Sequence, residues 1–333
     1  MGMLVDGEWV ERPFVTKGGG FQRAVSQFRG FIEGTAEATP DGRTFPVDAR
    51  RYRLYVAWAC PWAHRTLLAR ALYGLESVLP VAVVHPDMLD DGWTFGPHHP
   101  DPFLGADMLR EVYLRAEPRC TSRVTVPILW DHVQQTIVNN ESSELIRMFA
   151  GPLARALGRP DAPFAGHDIR PPYLRDEIDA VNERVYRTVN NGVYRCGFAG
   201  SQEAYDAACT ELFDSLDWLE QRLDRERWLV GNVFTEADLR LFPTLIRFDA
   251  VYHGHFKCNR RMLRDYPALF AWTRDVYQLP GVASTLNLSE TRRHYYHSHR
   301  SLNPLGIVPQ GPELDFTAPP LRAWMGPSPS ELQ

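Results

Sequence analysis

The sequence predicts an α/β domain followed by an all-helical one. Three observations carry that expectation. Between residues 51 and 84, two apolar, β-branched runs flank a helical stretch, the strand–helix–strand spacing that brings strands together in parallel. Beyond residue 172 the apolar residues recur every three or four positions: Ile178, Val181, Val185, Val189 and Val193, then Tyr205, Ala208, Leu212, Leu216, Leu219 and Leu223. Between the two patterns, residues 151–172 are rich in Pro and Gly and read as a linker. A length of 333 residues fits about two domains, at one per ~100–200 residues.

The elements follow in order. Residues 1–50 carry Gly18-Gly19-Gly20 and Asp41-Gly42 with little periodicity, and read as an extension packed over a domain. Arg51 to Trp58 is a strand, Trp62 to Tyr73 a helix, and Ser77 to Val84 a second strand. His85 to Asp107 is a loop dense in Pro, Gly, Asp and His around Trp93-Thr94-Phe95, longer than a compact domain keeps without a purpose. Asp107 to Glu117 is helical, Val126 to Trp130 and Thr136 to Val138 form an antiparallel hairpin turning near Asp131, and Glu141 to Phe149 is a helix. The order βαβ, α, ββα over residues 51–150 is the thioredoxin-like plan. Residues 173–299 form the all-helical domain. Within it Thr235 caps a helix, Asp238 completes the capping box, and Phe234 with Leu239 supplies the hydrophobic staple. Tyr266 to Leu279 and Leu288 to His299 are further helices. Residues 300–333 hold seven prolines and form an irregular tail that wraps the surface or trails away.

Composition excludes several classes of function. With 36 cations against 41 anions the net charge is −5, so no chain-wide basic field exists for nucleic acid. The first residues lack the basic and apolar stretches of a signal peptide. The run Leu54–Ala63 is about half of the ~20 residues that a membrane helix needs. A cytoplasmic protein with no membrane partner is expected. Cys60, Cys120, Cys196, Cys209 and Cys258 are scattered, odd in number and without a C-x-x-C pair, which argues against a disulfide framework or a structural zinc site.

Cys60-Pro61-Trp62-Ala63-His64-Arg65 is the most informative segment. Cys60 ends the loop after a strand, and proline is favoured at the first helical position. The sulfur then faces unpaired backbone N–H groups and the positive end of the helix dipole. Such settings lower a thiol pKa from about 8.5 toward ~3.5–7.5. Position 63 is Ala, so no resolving cysteine stands nearby, and a mixed disulfide on Cys60 needs an external thiol to clear it. That logic points to glutathione. Val126-Pro127, opening a strand, is placed to present its backbone to an extended γ-glutamyl-cysteine ligand. Glu141 and Ser142 open a helix, where they either take the ligand's ammonium and α-carboxylate or only cap it. Arg123 adds a cation for a glutathione carboxylate.

Taken together, these residues resemble the glutathione transferase superfamily and, within it, the Xi class of glutathionyl-hydroquinone reductases. The resemblance spans nearly the whole chain: the Cys60 segment, Trp93-Thr94-Phe95, Thr125-Val126-Pro127-Ile128-Leu129-Trp130-Asp131, Asn140-Glu141-Ser142, Arg247-Phe248-Asp249 and Asn303-Pro304, together with the long extension and the tail. It implies that the Cys60 thiolate attacks a glutathionyl-hydroquinone at sulfur, and that a second glutathione clears the resulting mixed disulfide. Ser or Tyr in that place could not form this disulfide. It further implies glutathione contacts at Trp93, Arg123, Val126, Glu141 and Ser142. It places the aromatic substrate in an interdomain cleft at Tyr194, Tyr252 and one of Tyr295 and Tyr296, and implies a homodimer with no metal. Two other functions remain open at this point: an Omega-like thiol transferase, acting as dehydroascorbate reductase or general deglutathionylase, and a non-catalytic transferase-like binding protein. His294-x-x-His297-x-His299, with His98-His99, has the residue types of a metal site but lacks a chemistry that needs one. The other four cysteines are expected to pack.

Overall fold

A four-stranded mixed sheet organises the first part of the chain. In the computed structural model, which describes residues 2–11, 16–17, 19–21 and 23–326, its strands are Tyr52–Val56, Val81–Val83, Ile128–Asp131 and Thr136–Asn139. Tyr52–Val56 lies at the centre. It runs parallel to Val81–Val83, with Leu54 opposite Val81, and antiparallel to Ile128–Asp131, with Leu54 opposite Leu129. The last two strands close the antiparallel hairpin through Ile137 and Trp130. Leu54, Tyr55, Val56, Ile128, Leu129 and Trp130 are all buried, the continuous apolar run of a sheet covered on both faces. The helix Pro61–Leu72 connects the parallel pair, and Leu109–Ala116 and Ser142–Met148 complete the thioredoxin-like plan. The hairpin's first strand starts at Ile128, two residues later than expected. The Val126–Pro127 peptide before it is cis, and proline has no N–H to give a ladder.

Two segments differ from the sequence expectation. The described part of residues 1–50 is more regular: Gly2–Val5 and Glu8–Glu11 form an antiparallel hairpin around Asp6 and Gly7, both at positive φ (48° and 85°). Asp-Gly is the residue pair that a two-residue hairpin turn of this kind favours. Leu4 exchanges both backbone hydrogen bonds with Ser122 (2.9 and 3.1 Å), and a Cβ on Gly7 would lie 2.2 Å from the Pro118 carbonyl. The second difference follows the helix Ser142–Met148, which continues through a π turn, Phe149–Leu153, into Ala154–Leu157. Phe149 and Leu153, one turn apart, are buried there. Gly151 and Pro152, which gave this stretch its linker composition, sit inside the turn.

The chain divides into two compact units. The sheet-bearing unit comprises Met1–Phe14, Arg23–Gly166 and a returning segment, Thr285–His294. The second, helical unit comprises Val15–Gln22, His167–Ser284 and Tyr295–Gln333. Its helices are Arg175–Val185, Gly192–Gly197, Gln202–Leu223, Glu236–Leu245, His253–His255 and Pro267–Tyr277. The first apolar stripe is not one helix: a π turn, Tyr186–Asn190, separates its two parts. Asp238 is the carboxylate of the expected capping box. It accepts from the Thr235 amide (2.9 Å), the Leu229 amide (3.0 Å) and the Trp272 indole (3.1 Å), while Phe234 and Leu239 are buried beside it. The described part of the tail wraps this unit. Phe316 and Arg322 are buried, and the Arg322 guanidinium donates to the carbonyls of Glu226 (2.7 Å) and Arg227 (3.1 Å). Residues 327–333 lie outside the described residues. Among those described, no helix is long and apolar enough to cross a membrane.

Candidate active site

The thiol comes first. Cys60 is the N-cap of the helix Pro61–Leu72, with extended backbone (φ −75°, ψ 116°) and Pro61 in the first turn. Its Sγ accepts from the Ala63 amide at 3.5 Å and donates to the Val126 carbonyl at 3.4 Å. It is half-buried, whereas Cys120, Cys196, Cys209 and Cys258 are buried. Burial pushes the Cys120 thiol up to about 11 and the Cys258 thiol well above its ordinary value. A thiolate is the reactive form, and donors at a helix start favour it. One thiol therefore stands half-buried at a helix start, and the other four are buried by packing.

Glu141 and Ser142 stand at the start of the next helix. Glu141 is its N-cap and accepts from the Ser143 amide (3.1 Å), the Ser143 hydroxyl (2.9 Å) and the Ser26 hydroxyl (3.1 Å). Burial acts to raise this carboxyl, but the two Ser143 donors, the Arg65 guanidinium and Ser26 outweigh it and hold it below the usual carboxylate range. Ser142 is buried, and its hydroxyl accepts from Arg65 at 3.3 Å. Arg65 is itself buried, stacks over the Trp62 ring at 4.5 Å, and lies on the helix that Cys60 caps. Cys60, Val126, Glu141 and Ser142 are thus tied together by backbone groups and by Arg65.

Trp93 and Arg123 belong to the same unit and have different neighbours. Trp93 is buried and stacks on His294 with centroids 4.7 Å apart and planes at 16°. Arg123 donates to the Gly2 carbonyl at 3.1 Å and so engages the N-terminal hairpin.

In the helical unit three tyrosines share their hydroxyls. Tyr295 Oη lies 2.7 Å from Tyr194 Oη and 3.1 Å from Tyr252 Oη. Tyr252 and Tyr295 are buried and Tyr194 is half-buried. Burial pushes the Tyr252 and Tyr295 hydroxyls well above 10, and the positive charge of the fully buried Arg247 opposes that rise in both. Arg247 is fixed by a 2.8 Å bond to the Pro243 carbonyl. Tyr295 is therefore the member of the Tyr295/Tyr296 pair that joins the cluster. Tyr296 packs its ring on His255 at 4.7 Å.

Three residues with evident parts in these clusters were not singled out from sequence, and a fourth, His294, was noted only for a different role. Arg65 and Arg247 sat inside quoted motifs, and their burial was the missing information. Ser26 lies in a stretch without periodicity and gave no signal. His294 stood in the His-x-x-His-x-His run, but its three histidines go to different partners: His294 to Pro86 (2.8 Å), His297 to Gly306 (3.4 Å) and His299 to His255 (3.1 Å).

Comparison with known proteins bears on this arrangement. Residues 59–151 match the glutathione S-transferase N-terminal domain, and residues 202–275 match its C-terminal domain. The chain is 50% identical over 317 residues to the glutathionyl-hydroquinone reductase PcpF of Sphingobium chlorophenolicum, covering 94% of this chain and 96% of that protein. It is 48% identical over 326 residues to the glutathionyl-hydroquinone reductase YqjG of Escherichia coli, covering 96% and 98%. The solved Xi-class transferase of Natrialba magadii superposes with a TM-score of 0.87 at 42% identity, covering 98% of this chain and 97% of that one. The glutathione-bound structure of YqjG gives 0.86, covering 96% and 99%. The chain belongs to the glutathione transferase superfamily and, within it, to the Xi class, the family of the glutathionyl-hydroquinone reductases.

Proposed function

We propose that this chain is a glutathione-dependent reductase of glutathionyl-hydroquinones. The observation that carries the reading is a single half-buried thiol at a helix start, with Ala63 where a C-x-x-C cysteine would stand, in a chain half identical nearly end to end to a reductase of that name. The Cys60 thiolate attacks the glutathionyl sulfur, the carbon–sulfur bond breaks, and the ring carbon takes a proton, so that hydroquinone leaves and Cys60 holds glutathione in a disulfide. A second glutathione thiolate attacks that disulfide, regenerates Cys60 and departs as glutathione disulfide. The ring is reduced by two electrons and two glutathione sulfurs are oxidised.

We assign the glutathione contacts to Trp93, Arg123, Val126, Glu141 and Ser142. The adjacency of Cys60 Sγ to the Val126 carbonyl and the low-lying Glu141 carboxyl support this for an ammonium-bearing ligand. Tyr194, Tyr252 and Tyr295 are assigned to the hydroquinone oxygens, where their shared hydroxyls would donate to a developing phenolate or to the keto form. The same reading takes the protein as a cytoplasmic homodimer.

The deciding assay is glutathione-dependent reduction of glutathionyl-menadiol by the wild-type protein and Cys60→Ala. Turnover that survives the substitution overturns the mechanism. A second reading, thiol transfer of the Omega kind, draws on a relative named glutathione S-transferase omega-like 2 in Schizosaccharomyces pombe, 43% identical over 304 residues and covering 89% of this chain and 95% of that protein. Turnover of dehydroascorbate without turnover of the aryl thioether would select it.

A further inference from the structure

The segment Thr285–His294 returns to the sheet-bearing unit after the helices of the other unit, and its side chains converge on the surroundings of Cys60. Thr285 Oγ1 lies 2.8 Å from His64 Nε2, four residues after Cys60. Thr291 Oγ1 donates to the carbonyl of Trp58, two residues before Cys60, at 3.3 Å. Arg293 grips Asp87 through two bonds of 2.8 and 2.7 Å. His294 bonds the Pro86 carbonyl at 2.8 Å, and its ring lies flat on Trp93. A carbonyl oxygen only accepts, so His294 Nδ1 carries the proton and donates, which fixes both the tautomer and the plane of the ring.

We propose that His294 is a positioning residue of the glutathione site: its imidazole, oriented by the Pro86 carbonyl and stacked on Trp93, fixes the indole against which glutathione binds. The proposal rests on the assignment of Trp93 as a glutathione contact. The Trp93 backbone is held independently, because its carbonyl accepts from the Leu109 amide (2.9 Å) and the Thr94 carbonyl accepts from the His85 amide (2.8 Å). Those bonds place the Trp93 Cα but leave the indole its side-chain torsions, so the ring's plane is set by what lies on its face. A core-filling aliphatic residue would occupy the same space without a defined plane. The hydrogen-bonded imidazole supplies that plane, and burial keeps it neutral by depressing its pKa to about 4.

The test separates ring from hydrogen bond and keeps side-chain bulk. His294→Phe retains a stacking ring and loses the Pro86 bond, while His294→Gln retains a donor and loses the ring. Glutathione binding is measured by calorimetry for each, beside Trp93→Ala and the double variant His294→Gln/Trp93→Ala, and steady-state turnover is split into KM and kcat. The expected result is a rise in glutathione Kd and KM of about three- to tenfold for His294→Gln, the scale of one lost aromatic stack. His294→Phe recovers most of that loss, kcat at saturating glutathione stays within about twofold of wild type, and the double variant binds no more weakly than Trp93→Ala alone, as coupled neighbours should. If Trp93→Ala weakens binding and both His294 variants bind as wild type, the His294 proposal is overturned and the Trp93 assignment stands. If Trp93→Ala itself binds as wild type, the assignment fails and takes the proposal with it. A fall in kcat at unchanged KM also overturns it.

Discussion

The two units build their candidate sites from different materials. In the sheet-bearing unit the site is made largely of backbone: an amide and a carbonyl on the Cys60 sulfur, and a helix start under Glu141 and Ser142. In the helical unit it is made of side chains alone, three phenol groups from residues 194, 252 and 295 meeting at one hydroxyl. A backbone-built site needs only a local motif, because a strand, a turn and a helix start fix its geometry. A side-chain cluster depends on the packing of remote elements, so no short stretch of sequence announces it.

The largest effect should fall on the backbone-built site. Cys60→Ser keeps the N-cap and loses only the ability to form a disulfide, so glutathione-dependent reduction should drop by on the order of a thousandfold or more. Intact mass after exposure to the glutathionyl substrate should show one added glutathione on the wild type and none on the variant. A glutathione adduct persisting on Cys60→Ser would move the chemistry to another thiol and break the contrast between one half-buried and four buried cysteines.

In the side-chain cluster, Tyr295→Phe removes the hydroxyl that bridges Tyr194 and Tyr252 and should lower kcat by about ten- to a hundredfold, the range for losing a preorganised donor. Tyr296→Phe, one residue on but packed against His255, should stay within about twofold on the same scale. Equal losses would show that the cluster's hydrogen bonds are not what the reaction uses.

This pair also marks what was legible beforehand. The strand, helix and hairpin pattern of residues 51–150 could be read because each element has its own period. Cys60 could be read because Pro61 and the strand before it fix a helix start. The choice between Tyr295 and Tyr296 could not, because the expected helix through His299 gives way at His294 to a π turn that resets which side chain faces which neighbour. The same change of course hid the return of Thr285–His294 to the sheet-bearing unit, since its ties to Trp58, His64 and Asp87 span more than 200 residues. The Asp6-Gly7 hairpin, by contrast, was written in the sequence and lay in a stretch read as aperiodic.

Asp238 offers a comparison in stability. It serves two backbone amides and the Trp272 indole, all buried, so Asp238→Ala strands several donors at once and should cost about 2–4 kcal/mol in urea unfolding. Removing the ion pair Arg119–Asp6, which is exposed on both sides, should leave the unfolding midpoint essentially unchanged. A similar effect for both would mean that the capping box adds nothing beyond a surface contact.

The smallest effect is also the most discriminating, because one buried group in each unit, His294 and Asp238, should answer acid in opposite directions. His294 is pushed by burial from 6.5 to about 4, against the pull of the Pro86 carbonyl and Asp87. Between those values the unfolded chain takes up a proton that the folded chain refuses, so this stability is complete above about 6.5 and is lost as pH falls toward 4. Glu141, held below its usual range, acts in the same sense at lower pH. Asp238 is pushed by burial from 3.8 to about 6, against its hydrogen bonds from Thr235, Leu229 and Trp272. Here the folded chain keeps a proton that the unfolded chain has released, so its contribution falls as pH rises through that window. Unfolding free energies at pH 4.5 and pH 7 should therefore move oppositely for two nearly isosteric variants. Relative to wild type, His294→Phe should fare better at pH 4.5 than at pH 7, and Asp238→Asn better at pH 7 than at pH 4.5. If both variants shift the same way, burial is not what sets these two groups apart, and the electrostatic contrast between His294 and Asp238 is wrong.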